Sequence, residues 1–273
     1  MIKEINMRKS KGIIITAVVL FVVLIAVGLF LKFKSRDIPQ NHIYSHRGAP
    51  AYAVEHTYES YDIAIAQGTK FIEQDLVISK DGTLYISHDL SAKRITGTDK
   101  EFSNMTDNEI EELRTLNDEK IHKLSDIFER YGKNINYVIE FKDGKTQINP
   151  FVGLVDKYGL KEKIIVQSRH IEVLEELEKI YPKMKKLFLV YTQEQIDDVA
   201  ENKDDYSFVD IVSVNEQFMT KENCKKIQKA DKEFNVWTLN TEEQIKKAIE
   251  TGVDTYFTDA TDVAIAAEKK YRK

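Results

Sequence analysis

Phe71-Ile72-Glu73-Gln74-Asp75-Leu76-Val77 is a short run of strand-forming residues with two acids spaced two apart at its centre. Side chains alternate along a strand, so Glu73 and Asp75 point to one face while Ile72, Gln74 and Leu76 point to the other. A strand apolar on both faces is buried on both, as in parallel sheets covered by helices. Comparable runs rich in Ile, Val, Phe and Tyr recur at 43–45, 137–141, 164–167, 186–190, 211–214, 235–238 and 256–258. Between them lie amphipathic helical patterns such as 57–67, 171–180 and 242–251, the last stopping at Gly252. Strand alternating with helix predicts an α/β fold. Eight such units match a closed barrel better than a sandwich, with a doubly wound open sheet as the alternative. One segment breaks the period. Residues 83–88 read as an extra strand joined through the turn Lys80-Asp81-Gly82, a hairpin at the barrel rim followed by a polar excursion through Asn134.

The chain has 273 residues, with 40 Lys or Arg against 45 Asp or Glu, a net charge of −5. The bases concentrate at the start: residues 1–36 hold seven and a single acid, leaving 33 bases and 44 acids, net −11, for the rest. An acidic body argues against nucleic acid as a partner. The lone Cys224 excludes an internal disulfide and a cysteine zinc site. Residues 13–31 carry no charge, and as a helix they would span roughly 30 Å, the thickness of a bilayer core. A secretory signal has a shorter apolar region and a small-residue cleavage site, which this run lacks. The expected organisation is a stub at 1–12, a single-pass membrane anchor at 13–31, a linker at 32–41 and a barrel at 42–273. The short stub favours a cell-membrane location with the barrel on the extracytoplasmic side.

An α/β barrel builds its site where the strands end. The first strand runs into His46-Arg47-Gly48, the second carries Glu73 and Asp75, and the third ends in Glu140 and Lys142. Buried acids side by side repel, and either a cation or rim Lys and Arg side chains can resolve that. Three carboxylates make a hard oxygen site suited to Mg²⁺ or Ca²⁺; catalytic zinc asks for more nitrogen or sulfur. Histidines at strand ends, His46 and His88, could serve as base and acid; a lone histidine is more often structural, but two stand here beside three carboxylates. Arg47 and Lys142 are fixed donors that fit a phosphate. His42, His122 and His170 lack such a setting, as does His56 apart from following Glu55 near the first loop. Trp237 reads equally as core and as a pocket wall.

Taken in order, His46-Arg-Gly, Glu55-His-Thr, Glu73-Gln-Asp75, Lys80-Asp-Gly82, His88-Asp89, Glu140-Phe-Lys142, Val236-Trp-Thr-Leu-Asn240 and Gly252-Val-Asp254 to Thr258-Asp259 resemble the glycerophosphodiester phosphodiesterases. Each motif is short; their order across the soluble part is specific. The resemblance implies a TIM (β/α)8 barrel and one divalent ion, Ca²⁺ or Mg²⁺, on Glu73, Asp75 and Glu140. It also implies acid–base histidines His46 and His88, phosphate contacts from Arg47 and Lys142, and hydrolysis of a glycerophosphodiester to glycerol 3-phosphate and an alcohol. Two positions depart from the family pattern, Val54 where proline is common and Arg169 where phenylalanine is common; neither removes a catalytic group. Related chemistries, lysophospholipase D and phospholipase C, would use a similar barrel, and a membrane-tethered binding protein could keep it without turnover. An amidohydrolase would show His-x-His on the first strand, which Ser45-His46-Arg47 does not.

Overall fold

A computed structural model describes residues 42–272. The expected anchor, stub and linker lie outside the described residues. Among those described, no helix is long and apolar enough to cross a membrane.

Eight parallel strands close into a barrel: β1 (Ile43–Ser45), β2 (Phe71–Ile78), β4 (Asn136–Phe141), β5 (Ile164–Ser168), β6 (Lys185–Val190), β7 (Ile211–Asn215), β8 (Glu233–Trp237) and β9 (Thr255–Thr258). Closure comes from β1, which pairs with β2 on one side and β9 on the other. The expected hairpin is present: β3 (Leu84–Ile86) runs antiparallel to β2, and Gly82 takes the left-handed backbone its turn requires. Every expected strand forms, with ends moved by two residues at most.

The period of two sorts each strand into two layers. Ile72, Leu76, Ile139, Phe141, Val166, Val190, Val212 and Val236 pack outward in the main core beneath the helices. Tyr44, Val138, Ile165, Leu187, Leu189, Ile211 and Phe257 form a separate apolar cluster, with Phe71 and Trp237 against it. These residues share parity along their strands with His46, Glu73, Asp75, Glu140 and Lys142, so the barrel interior is apolar below and charged at the strand ends.

Helices begin where a hydroxyl can cap them. Thr57, expected inside the first helix, instead caps α1 (Tyr58–Gln67), accepting from the Ser60 N–H at 3.2 Å. The excursion after β3 holds α2 (Lys93–Thr96), α3 (Asp107–Glu111) and α4 (Leu124–Tyr131). Its own small core, Tyr85, Phe102, Met105, Ile110 and Ile121, packs on Val77 and fixes the loop that follows β3. Farther along, α5 (Ile148–Tyr158) to α10 (Thr261–Tyr271) complete the outer layer, and α9 (Glu242–Thr251) ends at Gly252 as expected.

Candidate active site

The chain leaves β1 through a tight turn in which Arg47 and Gly48 both take positive φ, +53° and +95°. That turn brings the Arg47 N–H to 2.9 Å from Glu73 Oε2 on β2. A Cβ on Gly48 would stand 2.4 Å from Ser60 Oγ and 2.7 Å from the Ser60 carbonyl carbon. Gly48→Ala is therefore expected to cost about 1–3 kcal/mol, lowering the melting temperature by roughly 2–10 °C. A melting curve like that of the unsubstituted protein would contradict this.

His46 lies beside the seam between β1 and β9. Its Nδ1 is 2.8 Å from Asp259 Oδ1, and Asn240 donates to the other Asp259 oxygen at 2.7 Å. A carboxylate only accepts, so Nδ1 carries the proton and Nε2 is the nitrogen left to the cleft. His88, just past β3, is braced in the same way: Nδ1 sits 2.7 Å from Asp89 Oδ1. Arg94 on α2 donates to Asp89 and forks onto Glu55 at 2.9 and 2.7 Å, tying the two loops together. Burial is the main influence on both rings and pulls their pKa values below the usual histidine value.

The carboxylates meet as their spacing implied. Parallel pairing sets Asp75 directly beside Glu140, with Glu73 two residues back on the same face. All three are buried. Lys142 Nζ bridges Asp75 and Glu140 at 3.1 and 2.8 Å, and Arg47 Nε stands 3.3 Å from Asp75. Burial would raise the Asp75 carboxyl, but Lys142, His56 and Arg47 hold it well below the carboxylate range. Glu73 moves the other way: burial, then the charge of Asp75, pushes it well above. Burial and Asp75 likewise push Glu140 up to about 7. The two cations thus leave part of the negative charge uncompensated, and the donor set fits a divalent cation.

Sequence reading missed His56. Its Nε2 lies 2.9 Å from Asp75 Oδ2 and its Nδ1 2.9 Å from the Tyr61 hydroxyl, with the ring buried. Ligand atoms of His56, Glu73 and Asp75 all fall within 4.8 Å of one another. His56 occupies a left-handed position at φ +61° with its N–H on the Arg47 carbonyl at 3.0 Å. The remaining histidines lie elsewhere: His42 contacts the Asp254 carbonyl, His122 stacks on Tyr58, and His170 neighbours Arg169.

Above these groups opens a cleft of about 380 Å³. His46, Arg47, His88, Glu140 and Lys142 form its charged side; Leu90, Leu189, Tyr191, Trp237 and Phe257 form an apolar wall. Trp237 is thus a pocket wall, edge-on to Tyr191, as well as part of the inner packing.

A cleft with two carboxylate-braced histidines, clustered acids and two fixed cations suits hydrolysis of a phosphate ester. Comparison with known proteins agrees. Residues 46–263 match the model of the glycerophosphoryl diester phosphodiesterase family. The chain is 26% identical over 254 residues to the glycerophosphodiester phosphodiesterase of Bacillus subtilis, covering 83% of this chain and 86% of that one. Among solved structures, the glycerophosphodiester phosphodiesterase of Thermotoga maritima is similar with a TM-score of 0.71 and 26% identity, over 82% and 97% of the two chains. A phosphodiesterase of Oleispira antarctica, solved in complex with the product sn-glycerol-3-phosphate, shares the fold with a TM-score of 0.75 and 21% identity, over 83% and 96%. The family match spans the barrel from the first site histidine to the last helix, and the chain belongs to the glycerophosphoryl diester phosphodiesterase family, a family of phosphoric diester hydrolases.

Proposed function

We propose that the chain hydrolyses glycerophosphodiesters to glycerol 3-phosphate and an alcohol, with His46 and His88 moving the protons. The observation that carries this reading is that both histidines face one cleft, each with Nδ1 held by its own carboxylate. The product held by the Oleispira antarctica relative supports the choice of glycerol phosphate. Glu73, Asp75 and Glu140 would hold a divalent ion, Ca²⁺ or Mg²⁺ on their oxygen donors alone, which supplies positive charge against the anionic transition state. Arg47 and Lys142 bring further fixed charge to the phosphate oxygens.

In the proposed first step the glycerol 2-hydroxyl attacks phosphorus. One histidine Nε2 takes its proton, the new P–O bond forms, and the bond to the departing alcohol breaks. The other histidine gives that alcohol its proton. Water then opens the cyclic phosphate with the two histidines in exchanged roles. The apolar wall of Leu189, Tyr191, Trp237 and Phe257 would cover carbon-bearing parts of the substrate. Residues 13–31 support tethering to a cell membrane, with the barrel on its outer side.

Product identity is the test. Purified protein with glycerophosphocholine and a divalent ion is expected to release glycerol 3-phosphate and choline. Release of phosphocholine, or of nothing from any glycerophosphodiester or lysolipid, would overturn the proposal.

A pH experiment probes the carboxylates without substrate. An acid whose folded pKa is raised contributes stability below its unfolded value and loses it as pH climbs through the folded one. For Glu140 that window runs from about 4.5 to about 7. In chelator, Glu140→Gln is therefore expected to melt progressively higher relative to wild type as pH rises from 5 to 8. Melting curves whose difference stays flat or shrinks over that range would contradict it.

A further inference from the structure

We propose that His56 is a nitrogen ligand of the ion held by Glu73 and Asp75, so that the site selects a first-row transition ion (Mn²⁺, Co²⁺ or Zn²⁺) over Ca²⁺. This rests on the reading of Glu73 and Asp75 as metal ligands. The ligand atoms of these three residues already lie within 4.8 Å of one another, all buried. Atoms bound about 2.1 Å from a common ion stand at most about 4.2 Å apart, so less than about 1 Å of closure is needed.

The far side of the ring is prepared for this. His56 Nδ1 lies 2.9 Å from the Tyr61 hydroxyl, which itself lies 3.3 Å from the Glu73 carbonyl oxygen. When Tyr61 donates to that carbonyl, its oxygen accepts from Nδ1–H, and Nε2 presents a lone pair to the acids. Metal-bound histidines are held in this way, by an outer oxygen on the second ring nitrogen. The same contacts serve the ring without an ion. Tyr61 then donates to Nδ1, and Nε2–H donates to Asp75 Oδ2 at 2.9 Å. Moving between the two states relocates a proton, turns the Tyr61 hydroxyl from Nδ1 to the Glu73 carbonyl, and asks only the small closure of the ligand atoms noted above.

A second observation lies on β5, where Gln167 pairs beside Glu140. Gln167 donates its Nε2–H to Glu140 at 3.0 Å, yet its Oε1 is buried without a partner although the residue is only 3% exposed. Gln167 Oε1 is a hard oxygen beside Glu140, so the group that would tip the site away from Ca²⁺ is the imidazole of His56. Ca²⁺ favours six to eight oxygen ligands, whereas a mixed set of imidazole and carboxylates suits transition ions, whose affinity for nitrogen rises from Mn²⁺ towards Zn²⁺.

The test uses the full-length protein, stripped with chelator and loaded with Mn²⁺ alone. Pulsed electron paramagnetic resonance reads nitrogen coupling from an imidazole bound to Mn²⁺, and titration compares Mn²⁺ with Ca²⁺. Wild type is expected to show the coupling and to bind Mn²⁺ more tightly. His56→Asn should abolish the coupling and weaken Mn²⁺ by about tenfold or more, with Ca²⁺ affected far less. Tyr61→Phe, which removes only a hydroxyl, should keep the coupling and weaken Mn²⁺ by about tenfold. Absent coupling in wild type, coupling that survives His56→Asn, or Ca²⁺ binding as tightly as Mn²⁺ would overturn the assignment. Unchanged Mn²⁺ affinity in Glu73→Gln would instead overturn the carboxylate reading beneath it.

Discussion

Replacing either His46 or His88 by Ala is expected to lower kcat by about 10²–10⁴-fold with a small change in KM. The reason lies in what each ring touches. Asp259 and Asp89 occupy the Nδ1 atoms, so in each ring Nε2 alone is free to exchange a proton with substrate. Neither ring is among the groups that bridge the buried acids, so its loss should leave substrate binding largely intact. The double variant should be little worse than the poorer single one, because a reaction that needs one proton taken and one given is already stopped by losing either. Steady-state kinetics on glycerophosphocholine, with melting curves to show that the variants fold, decides the matter. Activity within a few-fold of wild type in either single variant would remove that histidine from the proposed chemistry.

A substrate whose glycerol carries hydrogen in place of the 2-hydroxyl is expected to react roughly 10³-fold more slowly or worse. Internal attack draws on a nucleophile with an effective concentration of 10⁵ M or more, against about 55 M for water. Deleting the hydroxyl removes that nucleophile and leaves the departing alcohol, the charge at phosphorus and both histidines as they were. The comparison therefore isolates one step. Equal rates for the two substrates, measured as alcohol release, would assign the attack to water from the start.

Much of this site follows from parity. Glu73 with Asp75 and Glu140 with Lys142 are each two residues apart on a strand, and a strand places such pairs on one face wherever it lies. Which strands would be neighbours followed from the regular strand–helix alternation, and the Asp75–Glu140 pairing is its consequence. His56 obeys no such rule. It stands in a loop, 19 residues before its partner Asp75, and reaches it because consecutive positive-φ turns at Arg47 and Gly48 fold that loop back over β2. The local signals were its position after Glu55 and its place in the Glu55-His-Thr motif, neither of which points to Asp75. Asp259 as the brace of His46 was implicit in barrel closure, since first and last strands pair. The Arg94 fork onto Glu55 and Asp89 was not, because its four-residue helix has no periodicity to read. Arg47 and Lys142 were named as donors to phosphate, with rim Lys or Arg left open as partners of the acids; in the folded chain these two residues fill that role as well, both meeting Asp75 and Lys142 also Glu140.

In the proposed chemistry the buried acids hold an ion, and without it a glycerophosphodiester is not cleaved. The most direct test follows glycerol 3-phosphate release from glycerophosphocholine by wild type and Glu73→Ala, with excess chelator and then with Mg²⁺, Ca²⁺ or Mn²⁺ restored. Wild type is expected to stop in chelator and to recover with at least one of the ions, while Glu73→Ala recovers with none at ordinary concentrations. Release that persists in chelator, or a Glu73→Ala enzyme that responds to the ions as wild type does, would contradict it.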